Sequence, residues 1–286
     1  MELAEIKLLE PRLFEPQVVE PVLFGAEGGG YNDCKKPLLP KEYKQVEYLQ
    51  STKTQYIDTN TLINTTRTKY VTRIKIDEVV ISSTAVFGTR KTENIVSEDA
   101  AFCLIKNQKF RLDWVKGGSL LSNNLINKDT IYDIEITRGY CKLNDEIYTD
   151  TNTTSINVNY PFYIFNVNNA GNSYSRLYSG RVYYSIIYTD NIKIRHFIPC
   201  YRKADYEGGM YDLVTKTFFT NNGTGRFYFP ITANEIIDWV DKLEDLTGQT
   251  AGTFSLLTAE YALLSAEQQT YVDTTLNTKN YTLAIV

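Results

Sequence analysis

Three hydrophobic patterns follow one another along this chain, and each specifies a different kind of structure. In the first 24 residues the apolar side chains come in pairs: Leu8-Leu9, Leu13-Phe14, Val18-Val19 and Leu23-Phe24. Glu10-Pro11, Glu15-Pro16 and Glu20-Pro21 separate them at five-residue intervals. Each proline fixes its own φ, lacks an N–H and turns the preceding glutamate away from helix. The pattern excludes a helix and disfavours a central strand, which leaves an extended, polyproline-like arm. The arm holds too many large apolar groups for a solvated tail. It is stable only when laid along another surface. Residues 1–30 therefore read as an anchor, its contacts Leu8, Leu9, Leu13, Phe14, Val18, Val19, Leu23 and Phe24, on copies of itself or on a larger assembly. The glycines at 25 and 28–30 make a hinge. They lack the G-x-G-x-x-G spacing of a phosphate-cradling loop and fit a flexible linker better.

The second pattern, within residues 31–229, is strand-like. Alternating and β-branched runs at 69–76, 101–105, 110–115, 130–136, 140–148, 162–167, 180–188 and 192–201 predict strands. Asn123-Asn124, Asn144-Asp145, Asn168 to Asn172, Asp190-Asn191 and Asn221 to Gly225 predict the turns. Arg138-Gly139 closes a hairpin between two such runs. With no helix-period stretch in between, the expected fold is an antiparallel two-sheet sandwich.

At Pro230 the period becomes helical. Thr232-x-x-Glu235 is a capping box, and Ile236, Ile237, Val240, Leu243 and Leu246 follow at helix spacing, with Gly248 as the expected C-cap. A second helix is expected through Leu256, Leu257, Tyr261, Leu263 and Leu264. A third opens at Ser265-x-x-Gln268 and carries Tyr271, Val272 and Leu276, and 281–286 reads as a strand. Residues 230–286 thus form a small, mostly helical module near the lower size limit for independent folding.

Composition narrows the function. The 286 residues carry a net charge of −4, with an isoelectric point near 5.3. That argues against nucleic acid or an anionic membrane as partner. No apolar run is long enough to span a bilayer, and the first residues lack a signal-peptide pattern. The expected site of folding is a cytoplasm. Cys34, Cys103, Cys141 and Cys200 are scattered without a C-x-x-C, and His196 is the only histidine. A zinc cluster has no ligands, and the thiols read as reduced and partly buried.

Several ordered segments are similar to a known family. They are Val46 to Thr52, Thr54-Gln55-Tyr56-Ile57-Asp58-Thr59, Val86-Phe87-Gly88-Thr89-Arg90, Tyr178 to Tyr184, Phe197 to Arg202, and Gly209 to Val214 with Phe218 to Asn221. Together they resemble the concanavalin A-like (laminin G-like) jelly-roll domains of gut bacteriophage structural proteins and related bacterial surface proteins. The resemblance covers roughly two thirds of the chain. It departs at Lys53, where many relatives have glycine, which should alter the turn and not the fold. It implies a mainly β protein: a jelly-roll sandwich with an N-terminal arm and a C-terminal helical module outside it.

Aromatic rings stack on apolar sugar faces, and Trp114, Tyr174 and Tyr206 are the expected glycan-binding residues. Asp133 and Glu135 share one face of a strand. Some jelly-roll glycosidases carry three acids on one strand, and with Asp133 as the middle and Glu135 as the last, the first acid's place is taken here by Ile131. The pair alone does not make a retaining mechanism. His196 and Cys200 are about 13 Å apart along a strand, too far for a nucleophile–base pair. No Gly-x-Ser-x-Gly elbow occurs. The resemblance allows calcium, but Asp99, Asp145, Asp150, Asp190 and Asp205 lie in expected loops without a D-x-D-x-D-G pattern. No catalytic residue and no cofactor are therefore expected. The expected function is a non-enzymatic virion structural protein, assembled in a host cytoplasm and placed as a head fibre, capsid decoration or tail-associated protein. Its partners would be other virion proteins or its own copies, and host-surface or mucin glycans. The alternatives are a bacterial carbohydrate-binding surface module and, further off, a glycoside hydrolase.

Overall fold

A computed structural model describes residues 39–79, 83–91, 100–114, 120–150, 156–175 and 177–286. The eight apolar arm residues and Cys34 and Asp99 lie outside the described residues. Pro37–Val286 forms one compact unit.

Its main body is an antiparallel β-sandwich, as the alternation requires. Thr68–Ile76 shows why. Thr68, Tyr70, Thr72, Ile74 and Ile76 are buried, while Lys69, Val71, Arg73 and Lys75 face outward. The inner side has the period-2 signature of a half-buried strand. This strand lies between Ile131–Thr137 and Ser179–Thr189 in a ten-stranded sheet, which continues through Ile192–Arg202 to Gly208–Asp212 and Thr217–Phe219. Leu49–Thr52 and Tyr43–Gln45 also join it, on Ser179–Thr189 and Ile192–Arg202.

The second sheet, of eight strands, centres on Thr84–Arg90, Ala100–Lys106 and Lys109–Asp113. Tyr70, Phe87 and Phe162 meet between the sheets with ring centroids 4.6–5.9 Å apart. Ala100–Lys106 is buried on both sides except for Lys106. Its outer residues Ala100, Phe102 and Leu104 form a separate apolar cluster with Ala85 and Val167.

Several boundaries differ from expectation, each for a local reason. Phe165 takes φ +70°, which splits the 162–167 run into Tyr163–Ile164 and Val167–Asn169. Asn144, at φ +53°, turns the 140–148 run into a hairpin of Tyr140–Leu143 and Glu146–Thr149. Lys53 keeps a glycine-like φ of +79°, so the turn stays left-handed and the lysine bears the strain.

The C-terminal elements share the sandwich core. Helix α1, Ala233–Lys242, opens with the expected reciprocal box between Thr232 and Glu235 and buries Ile236, Trp239 and Val240. It ends at Lys242, and Gly248 lies in the turn beyond it. Ahead of the second expected helix lies an unexpected strand, Gly252–Leu256, in which Phe254 and Leu256 bury at a period of two, so the helix begins only after Leu256. Only the short α2, Thr258–Tyr261, remains helical there. Helix α3, Ala266–Thr278, opens with the expected Ser265–Gln268 box. Tyr281–Ile285 then pairs in parallel with Gly252–Leu256.

Phe229, Tyr201, Tyr206 and Trp239 form a continuous ring stack with spacings of 5.0, 5.0 and 5.4 Å. This stack joins α1 to the sheet, and one apolar cluster runs from Leu49 to Leu276. A two-stranded parallel sheet is too small to stand alone, so the module depends on this shared burial. No helix among the described residues is long and apolar enough to cross a membrane.

Glu235 makes this junction acid-sensitive. Burial opposes its charge, but hydrogen bonds from Lys44, Tyr201 and Thr232 outweigh that and lower the carboxyl to about 2. A carboxyl held below its ordinary 4.5 stabilises the fold at higher pH. That contribution is lost as pH falls from about 4.5 through 2. Lys44 is half exposed, so solvent screening reduces that contribution to about 1 kcal/mol. Urea unfolding at pH 6 and pH 3 should show a larger drop for the parent than for Glu235→Gln. Equal drops would refute the assignment.

Candidate functional site

The aromatic residues expected to stack on sugars do not form one surface. Trp114 is 3% exposed and packs edge-on against Phe162 in the sandwich interior. Tyr206 is 4% exposed between Tyr201 and Trp239, with its hydroxyl donated to Asp238. Neither ring offers a face to a ligand, which corrects the expectation for both. Tyr174 is partly buried against the outer cluster of the eight-stranded sheet, with the Arg90 guanidinium over its ring at 5.1 Å.

The outer face of the ten-stranded sheet gathers a different set. Strand alternation puts Lys69, Val71, Arg73 and Lys75 outward, and Asp77 continues the row. The register sets Asp133 beside Arg73, Glu135 beside Val71 and Ile131 beside Lys75. On the other flank it sets Tyr184 beside Arg73 and Tyr188 beside Lys69. A bulge between Val182 and Tyr184 leaves the consecutive residues Tyr183 and Tyr184 both partly exposed. Bulges re-aim side chains in this way.

These groups hold one another in place. Arg73 grips Asp133 with two hydrogen bonds of 2.7 and 2.8 Å, and the Tyr184 hydroxyl donates to the same carboxylate at 3.5 Å. Lys69 sits 4.7 Å from the Tyr188 ring centroid and 3.8 Å from Glu135. Burial pushes the Tyr184 hydroxyl up to about 12, so it stays a neutral donor. Beside them lies an open groove of about 470 Å³, lined by Val71, Ile131, Asp133, Glu135, Lys142, Asn144 and Asp145. That volume falls within the range of small-ligand sites. Lys142 and Asp145 make no ion pair among the described residues. The groove therefore offers donors and acceptors held apart on a firm floor, the arrangement a polyhydroxylated ligand needs.

The titratable groups of the sandwich are mostly paired or buried. Both Asp133 oxygens accept a hydrogen bond from Arg73. His196 is lowered to about 4 by burial and nearby Lys193, and so is neutral near pH 7. Burial pushes the Cys141 and Cys200 thiols up to about 12 and raises Cys103 strongly, which disfavours the thiolate. No group of three or more metal-ligating side chains occurs among the described residues. Asp190 is gripped by Arg67 and Asp205 by Arg202.

Sequence reasoning found Asp133 and Glu135 as a same-face pair but missed Lys69, Arg73, Tyr184 and Tyr188. The alternation of Lys69, Arg73 and Lys75 was readable. Their cross-strand partners were not.

No protein-family model matches the chain, and no curated protein matches it. Solved structures do show likeness. A Bacteroides ovatus ATCC 8483 protein named for carbohydrate binding gives a TM-score of 0.40 at 12% identity, over 65% of this chain and 60% of its own. A heptameric SAP-like pentraxin from Limulus polyphemus gives 0.36 at 13%, over 51% of this chain and 74% of its own. A Trypanosoma rangeli sialidase gives 0.35 at 12%, over 44% and 21%. The chain spans about 60% of the Bacteroides ovatus structure's length. At these scores the likenesses carry no argument about ligand or activity.

Proposed function

We propose that the sandwich is a non-enzymatic carbohydrate-binding module whose ligand lies on the outer face of the ten-stranded sheet. One observation carries this reading. The groove beside Arg73, Asp133 and Glu135 is open, polar and floored by side chains that already fix one another. Partly exposed Tyr184, whose hydroxyl donates to the groove's Asp133, supplies apolar ring surface beside it. Stacking on one or two rings contributes only about 0.5–1.5 kcal/mol each beyond burial, so single sites are weak and adhesion rests on many copies.

The arm at 1–30 supports display on a larger assembly, and the phage-protein resemblance supports a virion as that assembly. The partners are then neighbouring virion proteins or further copies, and host-surface or mucin glycans. A bacterial surface module remains the alternative, and the genes flanking this one separate the two.

Beads densely coated with the chain should retain mucin, and Glu135→Ala with Lys142→Ala should abolish that retention at unchanged Tm. No retention at any coating density would defeat the reading. Released sugar that disappears in Asp133→Asn with Glu135→Gln would make the protein a hydrolase instead.

A further inference from the structure

We propose that the free edge of Tyr281–Ile285 pairs with the same strand of a second copy, antiparallel and centred on Leu283. The contact is independent of the arm and of the carbohydrate-binding reading.

The starting observation is an unfinished sheet. Gly252–Leu256 and Tyr281–Ile285 pair only with each other among the described residues. The Gly252 N–H donates to the Asn280 carbonyl and the Val286 N–H to the Leu256 carbonyl, which fixes the parity of the ladder. Even-numbered residues of both strands direct their N–H and C=O at each other, and odd-numbered residues turn theirs outward. The outer side of Gly252–Leu256 is occupied at Ser255, whose carbonyl accepts from Arg226 Nε at 2.9 Å. On the outer side of the second strand, the N–H and C=O groups of Tyr281, Leu283 and Ile285 have no protein partner among the described residues.

Native edges are blunted by charges, proline or a bulge. This one carries none of them. Tyr281-Thr282-Leu283-Ala284-Ile285-Val286 is uncharged, and its register against Gly252–Leu256 runs without a shift. By contrast Glu146–Thr149, an edge of the ten-stranded sheet, starts with a carboxylate. Thr282 and Val286 are exposed, and Ile285 is 48% exposed. The Tyr281 ring leans away from the edge, over Gly252, where an added Cβ would lie 2.5 Å from it. The edge is therefore open to a strand.

The occupant follows from the pattern of free groups. With Leu283 opposite Leu283 of the second copy, Tyr281 of each copy stands opposite Ile285 of the other. Every outward N–H of 281, 283 and 285 then meets an outward C=O, as in the hydrogen-bonded pairs of an antiparallel ladder. A two-fold axis at Thr282 or Ala284 would leave Ile285 or Tyr281 unmatched within the strand. No like charges face each other, and tyrosine opposite isoleucine is a stabilising aromatic–β-branched pair. A two-fold contact of this kind closes at two copies. It is short, so it belongs with small, reversible interfaces, and it strengthens where copies are held close together.

The test uses the full chain carrying Cys34→Ser, since Cys103, Cys141 and Cys200 are buried. In the proposed register Thr282 and Ala284 of opposite copies form a non-hydrogen-bonded pair, with Cα atoms about 4.5 Å apart. That is within disulfide reach. Identical positions lie on a diagonal at about 7–8 Å, beyond it. An oxidised mixture of Thr282→Cys and Ala284→Cys chains should give about tenfold more crosslinked dimer on non-reducing gels than either variant alone. Leu283→Pro removes an outward N–H and keeps the ladder to Gly252–Leu256. Added to both cysteine variants, it should abolish the crosslink at unchanged circular dichroism. Ile285→Lys, at an exposed position, should do the same and serves if the proline variant misfolds.

Equal crosslinking by the mixture and by the single variants would overturn the pairing. A crosslink that survives Ile285→Lys would overturn it too, as would a mixture without crosslinks at the highest soluble concentration. Slow hydrogen exchange of the Leu283 amide without any crosslink would assign the edge to a different segment and overturn the second copy as occupant.

Discussion

Arg226→Ala should lower the stability of the Pro37–Val286 unit by about 3–5 kcal/mol, the cost of stranding a buried partner charge. Arg226 comes from the sandwich and reaches Glu260 in the C-terminal module at 2.5 Å, with the two side chains 13% and 7% exposed. Its Nε donates to the Ser255 carbonyl at 2.9 Å, and its guanidinium lies 4.2 Å from the Tyr228 ring and 4.7 Å from Trp239. Burial lowers the guanidinium and raises the Glu260 carboxyl, so desolvation opposes charge on both partners. Glu260 Oε1 already lacks a hydrogen bond. The pair therefore adds little net stability but is costly to halve. Arg226→Met combined with Glu260→Gln should recover much of the loss. Urea denaturation of both variants decides the matter, and a single-variant loss under 1 kcal/mol would show that the junction does not depend on this pair.

Gly88→Ala should be as damaging, by roughly 3–6 kcal/mol, as strained backbone and overpacking combine. Gly88 sits at φ +131° with strands on both sides, opposite Phe102 on one and Tyr163 and Val167 on the other. A Cβ there would lie 2.4 Å from both the Ala101 carbonyl oxygen and the Phe102 Cα. Those are backbone atoms of the next strand, so relief requires the eight-stranded sheet to open. Circular dichroism melts should place this variant far below the parent. A change of only a few degrees would mean that the sheet yields there easily.

What could be read from sequence divides by the range of the interaction. The boxes at Thr232–Glu235 and Ser265–Gln268 are contained within four residues each, and both helices start as expected. The outward row of Lys69, Arg73 and Lys75 is equally local, since alternation alone sets it. Trp114 and Tyr206 show the limit. Both sit near strand ends, and Tyr206 is covered by Trp239, which lies 33 positions later in the chain. The strand Gly252–Leu256 left no mark in the sequence because its partner strand begins only at Tyr281. Within the groove, Asp133 and Glu135 were legible as a pair, but Arg73, which holds Asp133, lies 60 residues earlier in the chain on the neighbouring strand and left no local mark. The Tyr183–Tyr184 bulge was likewise invisible, because it arises from the fit between two strands.

The pairing of Tyr43–Gln45 with Ile192–Arg202 also sets a schedule for biosynthesis. Tyr43 lies opposite Arg202, so the ten-stranded sheet cannot close until roughly 160 further residues have been translated. At 5–20 residues per second that takes about 10–30 s on a ribosome. Throughout this interval the apolar inner faces of Thr68–Ile76 and Thr84–Arg90 are already synthesised while the sandwich is still incomplete. A nascent chain with this order of events exposes those faces to premature association. Slower translation before residue 202 should therefore increase aggregation in cells, and a chaperone that holds those strands should relieve it.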